Sequence, residues 1–324
     1  MFSSLTSSSL GSVRVVREFV AHHEQLLAGH DSAGRQEMKT YSVSSCVTRL
    51  YAIYERFVET LVSDFLDAIP DYCSFAGLTE AMRSEYRVGI SHLLSRLDSP
   101  RYRHLSHENL IRWYHEALSA VEPYRFVPEA LTRHDENLRL SVLSGMLSRV
   151  QATDLQGWLS HHSAISSLYP EQTSLWEQVE SELKNFIQLR NDAAHGTLSD
   201  LAGPDALLRY CDLISALIES ISAYLYREVV VGRATAGKAI LLGRVDEVFL
   251  AHGASIVPLR PGRSLALGQR IHVVGQWSCV EAEVESVRID NEAAVAVTAL
   301  HNTLEVGIVT STAPRRSVAM YADA

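Results

Sequence analysis

The feature that most constrains this chain is a change of hydrophobic period near residue 232. Before it, apolar residues recur at helical spacing, as in Leu175, Val179, Leu183, Phe186 and Ile187. After it, short apolar runs alternate between turn signals. The two periods bury side chains in different ways, as a stripe on a helix or as one face of a sheet. They therefore predict a multidomain chain, α then β: an all-α helical bundle followed by a small antiparallel β-barrel. The expected divisions are an N-terminal segment over 1–40, partly disordered or helical, a helical domain over 41–230 and a barrel over 238–320. A length of 324 residues suits two domains.

Boundary signals divide the first part into helices. One spans Val43 to Ile69, entered from Ser44 or Ser45 and stopped at Pro70. Others span Leu78 to Leu97, Ser106 to Val121 and Asp135 to Val150. Thr153-Asp154-Leu155-Gln156 and Ser174-Leu175-Trp176-Glu177 read as capping boxes, the second opening a long amphipathic helix closed by Gly196. A last helix runs from Asp205 to Glu228. Met1 to Ser12 reads as a frayed, Ser-rich end without the charged and apolar regions of a signal peptide. Gly232-Arg233-Ala234-Thr235-Ala236-Gly237 is a linker by composition. Strands are expected over Ala239–Val248, Ala254–Pro258, Gln269–Gln276, Val280–Ile289, Ala293–Ala299 and Glu305–Thr310. Turns are expected at Pro261-Gly262, Gly268-Gln269 and Asp290-Asn291.

Composition narrows the function classes. Hydrophobic content of 47% with 21% charged residues is that of a globular protein, and no apolar run approaches a membrane span. Cys46, Cys73, Cys211 and Cys279 are scattered, which fits a reducing cytoplasm and argues against a disulfide framework or a zinc site. The net charge is −9, and the residues from Gly232 onward are balanced, so the deficit lies in the helical part. That excludes a broad basic nucleic-acid footprint and leaves only a local cluster of arginines.

The segment Leu189-Arg190-Asn191-Asp192-Ala193-Ala194-His195-Gly196 carries the chemistry. Arg190 falls back onto the apolar stripe one turn past Phe186 and Ile187. A guanidinium there is either paired with a carboxylate, Glu55 being one candidate, or waiting for an anion. His195 lies at the negative end of the helix dipole, which favours imidazolium and an acid role, or it is an ordinary C-terminal histidine. Five residues turn a helix by about 140°, so Arg190 and His195 do not share a face. Asn191 and His195 do. One site forms only if the helix breaks at Gly196, or if two copies meet across a two-fold axis. Asp192 lies on a third face, to orient a neighbour's Arg190 or to be solvated.

Arg190-Asn191-Asp192-Ala193-Ala194-His195 resembles the R-x4-H signature of the HEPN superfamily of all-helical nucleotide-binding and RNase domains. Tyr51-Ala52-Ile53-Tyr54-Glu55-Arg56-Phe57-Val58 is similar to the first long helix of its RiboL-PSP branch, found in bacterial defence and toxin loci. Glu136-Asn137-Leu138-Arg139-Leu140 and Ser174-Leu175-Trp176-Glu177 resemble the run-up to the motif, and the likeness covers about residues 40 to 228. The resemblance implies a homodimer that cleaves RNA at a composite site without a metal or other cofactor. Catalysis would rest on Arg190 and His195, supported by Asn191, Asp192 and Glu55. In the barrel, Gly243-Arg244-Val245, Leu267-Gly268-Gln269-Arg270-Ile271, Val284-Glu285-Ser286-Val287-Arg288-Ile289 and Val306-Gly307-Ile308 resemble domain II of translational GTPases.

Other residues have plainer readings. His22-His23 and His161-His162 lack metal-site spacing and read as solvated faces. Arg101, Arg103 and Arg112 lie among Tyr102, His104, His107 and His115, as a solvated helix face or an RNA-contacting patch. Tyr54 reads as core. Trp277 and Phe249 either stack on a base or fill the barrel. No P-loop, dinucleotide fingerprint or serine elbow is present. The expectation is a cytoplasmic endoribonuclease, a toxin or anti-phage effector. Its partners would be RNA, a second copy, and an inhibitor or activating protein, with no membrane. The rival is an inactive RNA- or nucleotide-binding scaffold, or a docking adaptor.

Overall fold

The computed structural model describes residues 1–22, 31–195, 202–249, 253–290 and 292–324. Gly196, His23 and Asn291, which carried parts of the sequence reading, lie outside the described residues. The chain divides into two compact units, residues 1–70 with 74–222, and residues 71–73 with 223–324.

The described helices of the first unit begin with α1 (Ser3–Ala21) and α2 (Ser32–Tyr72), followed by α3 (Glu80–Leu94) and α4 (His107–Leu118). Four shorter ones follow: α5 (Pro128–Thr132), α6 (Leu140–Arg149), α7 (Leu155–His161) and α8 (Ser163–Leu168). Then come α9 (Leu175–His195) and α10 (Pro204–Thr235). The expected stripe of α9 is its buried face: Leu175, Val179, Leu183, Phe186 and Ile187. Leu50, Tyr54, Phe57, Leu61 and Leu66 of α2 and Leu213, Leu217 and Ile221 of α10 are buried in the same unit. Full burial of one such side chain is worth about 1.5–3 kcal/mol. Trp158 donates its indole N–H to the carbonyl of Ser220 at 2.8 Å, which fastens α7 to α10. Polar caps set the starts: Thr79 accepts from Met82 N–H and Ser106 from Asn109 N–H.

Five expectations are corrected here. The first long helix neither starts at Val43 nor stops at Pro70, for α2 runs from Ser32 through Pro70 to Tyr72. Met1–Ser12 is not frayed: α1 starts at Ser3, Phe2, Val13, Val16 and Val20 are buried, and Arg17 pairs with Asp212. The cap of α7 is Asp154, not Thr153, because its carboxylate accepts from Gly157 N–H at 3.1 Å. The helix expected over Asp135–Val150 begins only at Leu140, since Asn137 and Leu138 bond to side chains of other elements. Nor is Gly232–Gly237 a linker, for α10 continues to Thr235. A Cβ on Gly232 would stand 2.4 Å from the Tyr72 ring, so glycine marks a close approach there, and the chain turns at Gly237 with φ +75°.

The second unit holds an antiparallel sheet curled into a half-barrel, in the order β1 (Ala239–Arg244), β10 (Ala319–Asp323), β5 (Arg270–Val274), β6 (Cys279–Ile289), β9 (Leu304–Thr310), β3 (Ala254–Leu259), β2 (Glu247–Phe249). Strand β7 (Glu292–Ala294) pairs with β6, and β4 (Arg263–Ala266) with β8 (Ala296–Ala299). Inward residues at every second position, such as Ala282 and Val284 of β6 and Val306 and Ile308 of β9, form the core, which Val287 rejoins after a register shift in β6. The sequence reading missed β4 and β10, and it ran β1 into β2 and β7 into β8.

Candidate functional site

The site is built on α2, α9 and the irregular segment between α5 and α6. Tyr51 and Glu55 are one turn apart on α2, and the tyrosine hydroxyl donates to Glu55 Oε1 at 3.0 Å. The same hydroxyl accepts the buried backbone N–H of Leu138 at 3.0 Å. Burial pushes the Tyr51 phenol up to about 12, so it stays protonated and can serve both bonds. Leu138 is thereby pinned to α2 by a side chain rather than by a helical hydrogen bond.

Arg190 packs on this base. Its guanidinium carbon lies 4.4 Å from the centre of the Tyr51 ring, a cation–π contact. Its Nη1 donates to Asn191 Oδ1 at 3.1 Å and to Asn137 Oδ1 at 3.4 Å, and the Asn137 amide donates to Asn191 Oδ1 at 3.4 Å. The Arg190 Nε–H is buried without a hydrogen-bond partner. Among the described residues Arg190 forms no ion pair. The alternative in which Glu55 pairs directly with it is corrected: Glu55 holds the tyrosine on which the arginine lies. The guanidinium is thus held by an aromatic face and two neutral amides, and its charge is not cancelled.

A second layer fixes the segment carrying Asn137. His134 is bonded at Nδ1 to the carbonyl of Glu136 at 2.8 Å and at Nε2 to Glu59 Oε1 at 3.2 Å. Arg101 donates to the His134 carbonyl and to Glu59, each at 3.2 Å. The bond to Glu59 raises His134 above the ordinary imidazole range, and the bond from His134 lowers Glu59. Glu55, Arg101, His134, Asp135, Glu136, Asn137 and Arg139 line a polar cavity of about 470 Å³.

The remaining sequence candidates are scattered. His195 is the exposed last residue of α9, and the helix is regular through it, so it stands off the face of Arg190. Asp192 accepts from Gln188 at 2.8 Å. Of the basic patch, Arg101 lines the cavity, whereas Arg103 and Arg112 are exposed and Arg112 bonds only to Asn109. His162 caps α8 and stacks on Trp158. Phe249 does not fill the barrel core; it is 43% exposed beside a groove lined by Ser286, Arg288 and Gly307. Sequence reasoning did not single out Tyr51, Glu59, Asn137, His134 or Arg139 as site residues. The i, i+4, i+8 spacing of Tyr51, Glu55 and Glu59 was the available signal.

Among the described residues no three His, Cys, Asp or Glu side chains gather as a metal site, and no helix is long and apolar enough to cross a membrane. The model of the family described as RiboL-PSP-HEPN matches residues 14–227, more than half of the chain, and begins earlier than the likeness read from the motifs. Comparison with curated proteins gave no match.

Proposed function

Since the chain belongs to the RiboL-PSP-HEPN family, we propose that its helical unit is an endoribonuclease, with Arg190 addressing the scissile phosphate and His195 transferring a proton. The observation that carries this reading is a half-buried arginine in an R-x4-H motif, held on an aromatic ring and two amides with no carboxylate paired to it among the described residues. Such a cation is preorganised for the charge that develops on a phosphorane.

The ribose 2′-oxygen attacks phosphorus and the bond to the 5′-oxygen breaks. One group takes the 2′-hydroxyl proton and another delivers a proton to the leaving oxygen. The nucleophile is part of the substrate, so the reaction itself calls for no metal. Products carry 2′,3′-cyclic phosphate and 5′-hydroxyl ends. Since Arg190 and His195 lie on different faces of α9, the complete site is assembled by two chains across a two-fold axis, supported by Asn191, Asp192 and Glu55. Such an activity inside a cell needs restraint, which supports a toxin or anti-phage effector governed by an inhibitor or an activating partner in the cytoplasm. A helical domain over 41–230 would form the catalytic part, and the segment over 238–320 would dock RNA or a partner.

The second reading is an inactive HEPN scaffold that binds RNA or a nucleotide. It is favoured by His195, whose exposed ring has no hydrogen bond among the described residues. The test is full-length protein incubated with total RNA in excess chelator, with the ends of the products mapped. Cyclic-phosphate ends that disappear with Arg190→Ala support the enzyme. RNA bound but uncut supports the scaffold.

A further inference from the structure

The polar cavity beside Arg190 has a particular balance of unused groups. Arg101 gives one N–H to Glu59 and one to the His134 carbonyl, which orients its guanidinium. His134 has both ring nitrogens engaged. Asn137 spends its amide on Asn191 and its oxygen on Arg190. Asp135 faces Arg96 at 3.9 Å. What is left for a ligand is the carboxylate of Glu136, the second oxygen of Glu55, and the guanidinium of Arg139, which has no partner among the described residues. Carboxylates thus stand beside guanidinium donors, so the lining can accept from a ligand at one point and donate to it at another. A bare phosphate, all acceptor and negative, is disfavoured among Glu55, Asp135 and Glu136. A cavity of about 470 Å³ is large enough for a nucleobase.

We propose that this cavity receives one base of the bound RNA strand, and that Glu136 and Arg139 make it select guanine. The proposal rests on the RNA reading above and deepens it. Guanine presents two adjacent donors, N1–H and the N2 amine, to a single carboxylate, and an acceptor, O6, to an arginine. Adenine and cytosine each offer one amine beside an acceptor, and uracil one N–H between two carbonyls. RNA is read on such edges once a base is splayed from its neighbours. The placement is coherent with cleavage. Asn137 belongs both to the cavity and to the bonds of Arg190, so the selected base lies next to the phosphate that Arg190 holds. The reading carboxylate is also well founded, since the backbone of Glu136 is tied to His134 at 2.8 Å.

The test uses full-length protein and fluorescent oligouridine strands with one central G, A, C or U, each 2′-fluoro at every nucleotide to block attack. Binding is followed by anisotropy. The G strand is expected to bind about tenfold tighter than the other three, the effect of one good bidentate base contact. Glu136→Gln should bring G down to the level of the others and leave those unchanged, with an unaltered melting temperature. Arg139→Ala should reduce the preference in the same sense. Equal binding of all four strands, or a Glu136→Gln loss shared by all four, overturns base selection while leaving the RNA reading intact. No binding of any strand overturns both. Displacement of the G strand by micromolar guanosine monophosphate, matched by equal affinity for that nucleotide alone, overturns the strand and assigns the cavity to a free nucleotide.

Discussion

Two arginines in this molecule sit in opposite electrostatic settings. In the second unit Arg233 pairs with Asp71 at 3.2 Å and Asp323 at 3.1 Å, while Lys238 shares Asp71 and His272 shares Asp323. Tyr226 completes that group by its 2.6 Å bond to His272 Nδ1. Every charge has a counter-charge, and the arrangement is that of a structural clasp. In the helical unit Arg190 has a ring beneath it and amides beside it, and no ion pair among the described residues. Satisfied charge holds a fold together. Held but uncancelled charge is what a transition state or an anionic ligand can use.

Removing each arginine should separate the two roles, and the largest effects fall on Arg190 and the motif. Arg190→Ala and His195→Ala are each expected to raise the cleavage barrier by about 2.7–4 kcal/mol, as for loss of one preorganised donor. Their melting temperatures should fall only modestly, because Arg190 loses a cation–π contact of about 0.5–1 kcal/mol and two hydrogen bonds to neutral amides, and His195 is exposed. Mixing the two inactive chains should restore part of the cleavage, since a mixed dimer keeps one arginine and one histidine. A large stability loss with unchanged cleavage would make Arg190 a clasp like Arg233.

The next effect sharpens the comparison from below the guanidinium. Tyr51→Phe keeps the ring under Arg190 but strands the buried Leu138 N–H. An unsatisfied buried donor costs about 1–3 kcal/mol. Chemical denaturation should show that loss, and cleavage should fall because the Asn137 segment is no longer tied to α2. Cleavage unchanged at full stability would remove Tyr51 from the site.

Arg233→Ala is the reciprocal experiment. Asp71 and Asp323 are 49% and 60% exposed, so solvent screens them and the loss should be near 1 kcal/mol. It should appear in the melt of the protein, with cleavage per folded molecule untouched. A fall in cleavage without any shift in the melt would overturn the division between the two arginines.

The sequence disclosed the helical and strand grammars because burial on one stripe or one face leaves a period. The stripe of α9 and the alternation of β6 were readable for that reason. It did not disclose the segment before α6. Asn137 and Leu138 look helical by pattern, yet their bonds go to Asn191 and Tyr51, partners 54 and 87 residues away, and His134 just before them bonds to Glu59, 75 residues away. Long-range hydrogen bonds leave no periodic trace. Arg190 was legible as a charge on an apolar stripe. Its support was not, because Glu55, the natural partner by charge, acts through the Tyr51 hydroxyl. The helix through Gly232 was missed because a glycine needed for close approach to a ring reads, in sequence, as a break.

The smallest expected effect is a pH dependence confined to the helical unit. The groups facing His134 are Glu59, bonded to its ring, Glu55 nearby, Arg101 on its own carbonyl, and the carbonyl of Glu136. The bond to Glu59 raises His134 above its ordinary 6.5, so its contribution is full below 6.5 and is lost as pH rises through the raised value. Glu59 is lowered below its ordinary 4.5, so its contribution is full above 4.5 and is lost as pH falls through the lowered value. Between 4.5 and 6.5 both are present. Glu59 is 38% exposed, so the effect is a shift of at most a few degrees in melting temperature. The wild type should lose stability relative to His134→Gln as pH is taken from about 6 to 8, since glutamine keeps a neutral bond to Glu59 but does not titrate. Wild-type and variant melting curves that run parallel across that range would show that folding does not change the proton affinity of His134 there. The coupling of His134 to Glu59 would then add nothing to the stability of the segment carrying Asn137 beyond a neutral hydrogen bond.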